Sequence, residues 1–361
     1  MRRVRSRPSA SPPDADASGI GARLLSFVAD RGDAQERLDL AIRRHVPADV
    51  PASRTRWQQH IGQGFVRIND RVCRKSARRL VLGDRVVVEL PGVRPRRRPS
   101  PEAFALDVLY EDADMLAVNK PAGLVVHPTR GYRSGTMLNA LLWRSRQWPA
   151  GAKPGLVHRL DRQTSGVVLV AKTRDAHASL VRSMAARTMV KEYLAVVYGT
   201  PAHDTARVTL ALAKDPAHPA RVRVAEASGR PSETRFEVLA RSTGGRTRLA
   251  LLRCTLVTGR MHQIRAHLSA MGLPIVGDTV YGDGGVEALG DDALGDACRA
   301  CARQALHAVR VVVPHPVTQV PLTIVAPLPD DLRVLIECGF GGSGLALMGV
   351  RSCLSTLSRE G

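Results

Sequence analysis

The stretch GLVHRLDRQTSGVVLVAK, residues 155–172, carries the strongest structural signal in the chain. Its first half is polar and turn-forming, and it holds His158, Arg159, Asp161 and Thr164. Its second half, residues 166–171, is an apolar run with the β-branched content of a buried strand. Because loops held at strand ends often carry catalytic residues, we expect these four side chains at the edge of a buried sheet.

Asp161 is the candidate nucleophile of this loop. Arg159 and Arg162 flank it, and neighbouring positive charge favours the ionised carboxylate that a nucleophile or a charge stabiliser requires. The alternative is a structural aspartate that caps a turn, which the same spacing allows. The loop sequence by itself leaves both interpretations open.

A second polar cluster, TGRMHQIRAHL at residues 258–268, has the periodicity of a helix. The apolar residues that recur at helical spacing are Met261, Ile264, Leu268 and Met271. His262 and Arg265 lie one turn apart and would share another face. A buried arginine requires a carboxylate partner, and Asp161 is the candidate. The alternative is a solvent-exposed basic face.

The chain is strongly basic, and its excess charge is unevenly distributed. Its 361 residues suggest roughly two domains. Lys and Arg number 53 against 33 Asp and Glu, a net charge of +20, of which the first 100 residues contribute +12. This excess favours a phosphate-rich partner, because neutralised phosphates release counterions. The alternative, a GC-rich genome, explains the preference for arginine but not the net charge. An aromatic content of 4% argues against a surface that stacks many bases.

Several classes of protein are excluded by the sequence. No apolar run approaches the roughly 18 residues that a transmembrane helix needs, and the basic N-terminus lacks the apolar segment of a secretory signal. The phosphate-loop, GxGxxG, HExxH and GxSxG motifs are absent. Six scattered cysteines do not form a disulfide framework, so we expect a reducing cytoplasm. Cys298 and Cys301, near His307, have zinc-like spacing, but a single pair is weak support for a metal site.

Changes in composition divide the chain into five segments. They are a basic extension at 1–36, expected to be disordered, a small domain at 37–91, a mobile Pro- and Arg-rich linker at 92–104, a large domain at 105–338, and an appendage at 339–361. In the small domain the pattern predicts a helix beginning near Leu38 and a second helix capped by Ser53. Short strands are predicted near 65–70 and 85–89.

The large domain mixes helices and strands without a βαβ rhythm. Helices are predicted at about 136–143 and 174–186. Strands are predicted at 115–118, 166–171, 193–197, 208–212, 234–239 and 248–256. We therefore expect an α+β fold with a mixed, largely antiparallel sheet.

Taken together, these segments resemble the RluA-type pseudouridine synthases. The loop HRLDRQTSG at 158–166 matches the family signature HRLD-x-x-TSG. Further matches are NKPAGLVVHP at 119–128, KEY at 191–193, TGRMHQIR at 258–265, GD at 277–278 and RQALHA at 303–308. The resemblance covers about residues 105–337. Met261 departs from the threonine that is usual before His262.

Residues 37–90 resemble an S4 RNA-binding domain. The matching segments are RLD at 37–39, SRTR at 53–56, GFVRIN at 64–69 and GD at 83–84. An S4 domain followed by a synthase domain is the layout of family members that modify large-subunit ribosomal RNA. The resemblance therefore implies RNA binding by the small domain, with Arg54 and Arg56 as candidate contacts.

The resemblance implies a mechanism centred on Asp161. The family's catalytic aspartate falls on this residue, which would attack C1′ of a target uridine or help to expel uracil to leave a glycal. The uracil then rotates and rejoins the ribose through C5. Tyr193 would stack on the uracil, and Arg265 would be the basic partner of Asp161. Arg159 would fill the gap that the flipped base leaves.

The other residues expected to contact the substrate or its RNA are His158, Thr164, His262 and Lys120. The implied reaction is an isomerisation, so neither a cofactor nor a metal is expected. The expected partner is RNA, most simply ribosomal RNA, with no membrane involved. A cytoplasmic monomer is the default expectation.

Three other functions stay open. One is a catalytically inert, S4-bearing RNA-binding or ribosome-assembly factor, against which the intact Asp161, Tyr193 and Arg265 argue. Another is a synthase that acts on transfer RNA. A third is a different enzyme of glycosyl bonds, which usually needs two carboxylates flanking one bond, whereas residues 155–172 hold a single acid.

Overall fold

The computed structural model describes residues 23–47, 50, 53–90, 99–129, 131–218, 220–243, 246–282 and 289–346. The chain divides into two compact units, Met1–Arg98 and Pro99–Gly361. Each unit is described by itself. Among the described residues, no helix combines the length and the apolar character that crossing a membrane would require.

The first unit contains a small antiparallel sheet and two helices. The elements are β1 Leu24–Val28, α1 Leu38–His45, α2 Arg54–Gln63, β2 Val66–Ile68, β3 Arg71–Val72 and β4 Arg85–Glu89. The strands lie in the order β1-β4-β2-β3. Leu38, Trp57, Ile61 and Leu80 are buried in a common core. This arrangement contains the two helices and the two strands predicted from the sequence.

Helix α2 begins and ends where its sequence predicts. The Ser53 hydroxyl accepts a hydrogen bond from the Arg56 N–H at 3.3 Å, which satisfies one of the free donors at the helix start. The helix ends at Gly64, whose φ of 92° lies in the left-handed region that favours glycine.

The prediction of a disordered extension as far as residue 36 is wrong for β1. This strand pairs with β4 over its whole length, from Leu24 opposite Glu89 to Val28 opposite Arg85. Alternate side chains of the strand, such as Phe27, pack against the core. This alternation gives β1 one apolar face, which the basic composition of the N-terminal region did not indicate. Residues 1–22 lie outside the described part.

The second unit is built on a large sheet. Its strands are β5 Asp107–Glu111, β6 Met115–Lys120, β7 Gly155–Leu156, β8 Ser165–Ala171, β9 Val190–Tyr198, β10 Thr205–Val208, β11 Leu212–Lys214, β12 Val222–Val224, β13 Thr234–Arg241, β14 Leu249–Leu256, β15 Leu306–Pro314 and β16 Pro321–Val325. Its α-helices are α3 Met137–Arg144, α4 Arg174–Ala185, α5 Gln263–Ala270, α6 Ala293–Ala300 and α7 Asp330–Ala346.

Ten of these strands form one sheet, with the path β10-β13-β14-β9-β15-β8-β6-β5, while β16 pairs with β15 and β7 with β8. The β15–β8 pairing is parallel, and the other described pairings in this sheet are antiparallel. The predicted mixed, largely antiparallel α+β fold is therefore confirmed. Strands β11 and β12 form a separate two-stranded sheet.

Three predicted boundaries in this unit are wrong. The strand expected at 208–212 is divided, because β10 ends at Val208 and β11 begins at Leu212 on a different sheet. The predicted linker ends early: Ser100 accepts a hydrogen bond from the Asn139 amide at 2.7 Å, so it belongs to the second unit. Residues 91–98 lie outside the described part. The predicted appendage begins inside α7, whose Ile336 is buried in the core.

Candidate active site

The loop between β7 and β8 carries Asp161 into a cleft of the second unit. The Thr164 N–H donates to the Asp161 carbonyl at 3.1 Å and closes the turn. Thr164 is buried, and its hydroxyl accepts a hydrogen bond from the Gln304 amide at 3.2 Å. Gly166 follows with φ 114°, so close to β15 that a Cβ would come within 2.2 Å of the Ala308 carbonyl oxygen. Glycine is required there, which fixes the point where the loop joins the sheet.

Arg265 connects Asp161 to a second carboxylate. Its Nη1 donates to Asp161 Oδ2 at 3.0 Å, while Nε and Nη2 donate to the two oxygens of Asp278 at 2.6 and 2.8 Å. The Arg265 side chain is 6% exposed, and that of Asp278 is fully buried. Burial opposes ionisation of Asp278, but the Arg265 guanidinium outweighs it and lowers the pKa. The predicted pairing of Arg265 with Asp161 is present, and a fixed cation faces the Asp161 carboxylate.

His262 approaches the same Asp161 oxygen as Arg265. Its Nε2 is 3.8 Å from Asp161 Oδ2, and its Nδ1 is 3.2 Å from the Tyr281 hydroxyl. That hydroxyl accepts the Val222 N–H at 2.8 Å, so its own proton is free to point to Nδ1. Burial lowers the pKa of His262. The imidazole of His262 is therefore neutral near pH 7, and in the tautomer protonated on Nε2 that proton points towards Asp161.

The expectation that His262 and Arg265 share a helical face is wrong. His262 has φ 51° and ψ 24°, and α5 begins only at the next residue. Met261 and Met271, predicted on the buried face, are substantially exposed, whereas Ile264 is buried. With the left-handed turn at His262, both basic side chains still reach the same Asp161 oxygen, at 3.8 Å for His262 and 3.0 Å for Arg265. Such a conformation is uncommon for a residue other than glycine and often occurs at functional sites.

The cleft around Asp161 encloses about 270 Å³ and has an apolar side formed by Leu160, Leu256 and Leu306. Tyr193, on β9, lines the same cleft and is 6% exposed. Burial, together with the nearby Asp161 charge, raises the pKa of Tyr193. Tyr193 is therefore a neutral phenol with a ring available for stacking on a planar base.

The other two residues predicted in this loop have different environments. Arg159 is exposed at the edge of the cleft and has no hydrogen-bond or ion-pair partner within the described ranges. The His158 Nε2 accepts a hydrogen bond from the Leu169 N–H at 3.2 Å, which ties the loop to β8. Burial and the nearby Lys191 charge lower the pKa of His158 to about 3, so the imidazole is neutral.

Comparison with known proteins identifies the family to which the chain belongs. A family model described as RNA pseudouridylate synthase matches residues 114–270. The ribosomal large subunit pseudouridine synthase D of Nitrosomonas europaea is 36% identical over 327 residues, which are 90% of this chain and 91% of that protein. The chain belongs to the RNA pseudouridylate synthase family. It is therefore an isomerase that forms pseudouridine in RNA.

Other relatives agree with this assignment. The proteins of the same name from Xylella fastidiosa and Escherichia coli O6:H1 are 39% and 36% identical, covering 84% and 87% of this chain and 89% and 93% of their own lengths. The solved structure of human RNA pseudouridylate synthase domain containing 1 covers 70% of this chain and 98% of its own, with a TM-score of 0.52 and 24% identity. That likeness supports the fold of the synthase.

The prediction that Lys120 of the synthase contacts RNA is wrong. Lys120 is fully buried, and its ammonium donates to the carbonyls of Pro121, Leu124 and Arg162 at 2.7, 2.9 and 3.0 Å. Burial, and then the charge of Arg303, lower its pKa to about 7. All three ammonium protons are used, so Lys120 holds the backbone that follows Asp161 and has none left for a phosphate.

The remaining predicted contacts, Arg54 and Arg56, lie on α2 in the first unit of the synthase. The Arg54 side chain is about half exposed, and its Nε is 3.3 Å from the buried Asp39 carboxylate. Arg37 also pairs with Asp39, at 3.0 Å. Hydrogen bonds from these arginines and Gln58 oppose the burial of Asp39 and lower its pKa to about 2. The group forms a charged surface at the start of both helices.

Sequence reasoning gave no role to Asp278, Tyr281 or Lys191 of the synthase. Asp278 and Tyr281 follow α5 in the chain, and nothing in their spacing indicates that they hold Arg265 and His262. Lys191 could have been found, because it lies two positions before Tyr193 on a strand and so points to the same face. It lines the cleft and is 5% exposed.

Within the described ranges, the side chains close enough together to share a metal ion are those of Asp112, Asp114 and His315. Asp112 accepts a hydrogen bond from the Tyr110 hydroxyl at 2.6 Å and lies 2.8 Å from His315 Nε2, so the group forms an internally bonded turn. Cys298 and Cys301 are free thiols outside this group. Burial raises the pKa of Cys298 to about 12, which disfavours the thiolate that zinc binds.

Proposed function

We propose that this synthase converts uridine to pseudouridine in large-subunit ribosomal RNA, with Asp161 as its nucleophile. The observation that carries the proposal is the position of Asp161, with its carboxylate in the cleft and one oxygen 3.0 Å from the buried Arg265. The bacterial relatives are named as pseudouridine synthases of the ribosomal large subunit. The basic first unit is consistent with a large RNA partner.

The proposed reaction begins with cleavage of the bond between C1′ and N1. Asp161 either attacks C1′ to give an acylal or assists loss of the C2′ proton to give a glycal, and the bonding electrons leave with the uracil. The uracil turns so that C5 faces C1′. A C5–C1′ bond then forms as the Asp161 carboxylate leaves C1′ of the acylal, or as C2′ of the glycal regains its proton. The C5 proton is then lost to water and N1 regains a proton, so that the product is an isomer of the substrate.

Each neighbour of Asp161 has a proposed part in this sequence. Arg265 orients the carboxylate, because its own position is fixed by two hydrogen bonds to Asp278. The neutral phenol of Tyr193 stacks on the uracil. Arg159, at the exposed edge of the cleft, occupies the gap left in the RNA when the base is flipped. His262 presents its Nε2–H to the ribose beside Asp161.

We infer that the first unit is an S4-type domain that docks the RNA. Besides Arg54 and Arg56, it has a groove of about 890 Å³ next to β3. The groove is lined by five cationic side chains, those of Arg71, Arg74, Lys75, Arg78 and Arg79. Removal of two of them, by Arg78→Gln and Arg79→Gln, is expected to make the slope of log K for RNA binding against log salt concentration shallower by about one to two. An unchanged slope would exclude this groove as the docking surface.

The catalytic proposal is tested with RNA that carries tritium at uridine C5, because formation of pseudouridine releases that tritium to water. Ribosomal and transfer RNA transcripts are incubated with the wild-type synthase and with Asp161→Ala. We expect release from ribosomal RNA by the wild-type protein and a loss of roughly 10⁴-fold or more in the variant. Release from transfer RNA alone would replace the proposed substrate. Equal release by both proteins would exclude Asp161 as the nucleophile.

The location and assembly of the synthase are parts of the same proposal. We propose a cytoplasmic monomer that meets its RNA substrate directly, with no cofactor or metal taking part in the isomerisation. Sedimentation of the purified protein with and without RNA checks the monomer. A chelator that abolishes tritium release would contradict the proposed independence from metals.

A further inference from the structure

Lys191 occupies an unusual position in the cleft. It lies near the start of β9, opposite Val311 of β15, and its side chain is 5% exposed. Glu192 points to the other face of the sheet, where it pairs with Arg310 at 3.0 Å. Lys191 and Tyr193 therefore line the same side of the cleft. The ammonium thus lies deep in the wall that also presents the stacking ring.

The ammonium of Lys191 has no carboxylate or carbonyl partner in the part of the chain that the structure describes. Two other buried lysines show the usual arrangement. Lys120 donates to three carbonyls, and Lys172 lies 2.8 Å from the Glu111 carboxylate. A largely buried charge without a protein partner is costly and is usually compensated. The Lys191 Nζ is not among the fully enclosed unpaired nitrogen atoms of the described residues, so it opens onto the cleft. At Lys191 burial alone lowers the pKa. Its missing partner is expected to arrive with the substrate.

We propose that Lys191 donates a hydrogen bond to a carbonyl oxygen of the uracil and stabilises the negative charge that develops when the base leaves C1′. The inference rests on the roles proposed for Asp161 and Tyr193. When the C1′–N1 bond breaks, its electron pair stays with the base and spreads over N1 and the carbonyl oxygens. When C5 bonds to C1′, the base loses this negative charge. Lys191 keeps its proton throughout.

The surroundings favour the base over a phosphate as the partner of Lys191. Met184 and Leu256 line the cleft with it, and a cation in such apolar surroundings interacts strongly with a developing anion. Gly259 lies nearby, where a Cβ would come within 3.7 Å of Lys191 Nζ, so a larger residue would narrow this space. Arg159, at the exposed edge, is better placed for the RNA backbone.

The test compares the wild-type synthase with Lys191→Met, which retains the apolar stem and removes the charge. Tritium release is measured under single-turnover conditions, and RNA affinity is measured separately at several salt concentrations. We expect the rate to fall about 10²–10³-fold, the range for removal of one donor to a developing anion, with RNA affinity and its salt dependence unchanged. The exposed Lys214 on β11 provides the control, since Lys214→Met makes the same chemical change outside the cleft.

A second substrate separates charge stabilisation from simple positioning. 5-Fluorouracil is a more acidic base than uracil and leaves with less assistance. Cleavage of 5-fluorouridine in RNA, followed by chromatography of the digested nucleosides, should therefore be slowed less by Lys191→Met than cleavage of uridine. Lys191→Arg retains a cation and should lose less activity than Lys191→Met.

Three results would overturn the inference. They are an unchanged rate in Lys191→Met, an equal loss with both bases, and weaker RNA binding with a smaller salt slope, which would indicate a phosphate contact instead. If Lys191→Met does not fold, the same comparison of bases is made with Lys191→Gln and Lys191→Arg. Because the Asp161→Ala result does not depend on Lys191, failure here leaves the proposed nucleophile standing.

Discussion

Two buried arginines hold the loop that carries Asp161, with nearly the same hydrogen-bonding geometry and different targets. Arg265 donates twice to Asp278 and uses Nη1 to reach the Asp161 carboxylate. Arg303 donates twice to Asp331, at 2.6 and 2.8 Å, and uses Nη1 to reach the Gln163 carbonyl at 3.1 Å. Each arginine side chain is 6% exposed. We call these the Arg265 clamp and the Arg303 clamp.

The difference between the clamps lies in what each one holds. The Arg265 clamp ends on the Asp161 carboxylate, our proposed nucleophile, and its supporting carboxylate, Asp278, is fully buried. The Arg303 clamp ends on the backbone two residues after Asp161, and its supporting carboxylate, Asp331, is half exposed at the start of α7. The first clamp therefore orients the Asp161 carboxylate itself, whereas the second holds only the path of the loop. Arg303 is a positioning residue.

The largest expected difference between the clamps appears when arginine is replaced by lysine in each. Lysine keeps the charge but cannot make the two-pronged contact to a carboxylate while also reaching a third group. Arg265→Lys should lower the single-turnover rate about 10²-fold through loss of orientation, and the free energy of unfolding by about 3 kcal/mol. Arg303→Lys should lower the rate less than tenfold. Tritium release and urea unfolding measure the two effects.

An equal loss of rate in the two lysine variants would remove the distinction between the clamps. It would mean that the position of the loop, and not the charge beside Asp161, limits the reaction. The matched control is Arg241, which also pairs with an aspartate, Asp204 at 2.7 Å, but does not line the cleft. Arg241→Lys is expected to leave the single-turnover rate unchanged.

His158 is a third anchor of the loop, and it differs from both clamps because it is neutral. Its contribution to the free energy of unfolding therefore depends on pH in the acid range. Its pKa is about 3 in the folded protein, against an ordinary value of 6.5. As pH falls below 6.5, the unfolded chain takes up a proton on His158 that the folded protein does not accept until about pH 3. The stability contributed by the neutral histidine is therefore lost progressively over that range, by up to about 1.4 kcal/mol per pH unit.

His158→Gln keeps an acceptor for the Leu169 N–H and removes the titration. We expect the free energy of unfolding of this variant to fall less steeply than that of the wild-type protein between pH 6.5 and 3, with the two slopes equal above pH 7. Urea unfolding at a series of pH values measures both slopes. Parallel curves throughout the acid range would show that His158 is not held neutral in the folded protein.

Sequence reasoning located Asp161 and Arg265 of the Arg265 clamp but not Asp278, the carboxylate that holds Arg265 in place. Asp161 and Arg265 could be paired because a loop rich in turn residues precedes an apolar strand, and because an arginine beside buried helix positions needs a carboxylate. Asp278 could not be assigned, since its contact with Arg265 depends on how the chain turns after α5. Lys120 was misassigned because a basic residue in a polar motif looks the same whether it faces phosphate or backbone carbonyls.

The same limit applies to the fold. Strands with strong alternation or continuous apolar runs, such as β8 and β14, were predicted within one or two residues. β1 was missed because its apolar positions follow a basic, proline-containing stretch, and only pairing with β4 makes it a strand. The left-handed conformation of His262 was also missed. The hydrophobic periodicity predicts a helix that includes His262, whereas in the structure α5 begins one residue later, at Gln263.

The smallest expected effect comes from the support of the Arg303 clamp. Asp331→Asn removes the charge that orients Arg303 while keeping one acceptor, and because Asp331 is half exposed we expect a loss of about 1 kcal/mol in the free energy of unfolding. The rate of tritium release should fall a few-fold at most. Asp330→Asn is the matched control: its side chain is 89% exposed and pairs with Arg333 on the surface of α7, so both quantities should match the wild-type values. If Asp331→Asn lowered the rate as far as Arg265→Lys, α7 would control the nucleophile through the loop, and the two clamps would be equivalent parts of the active site.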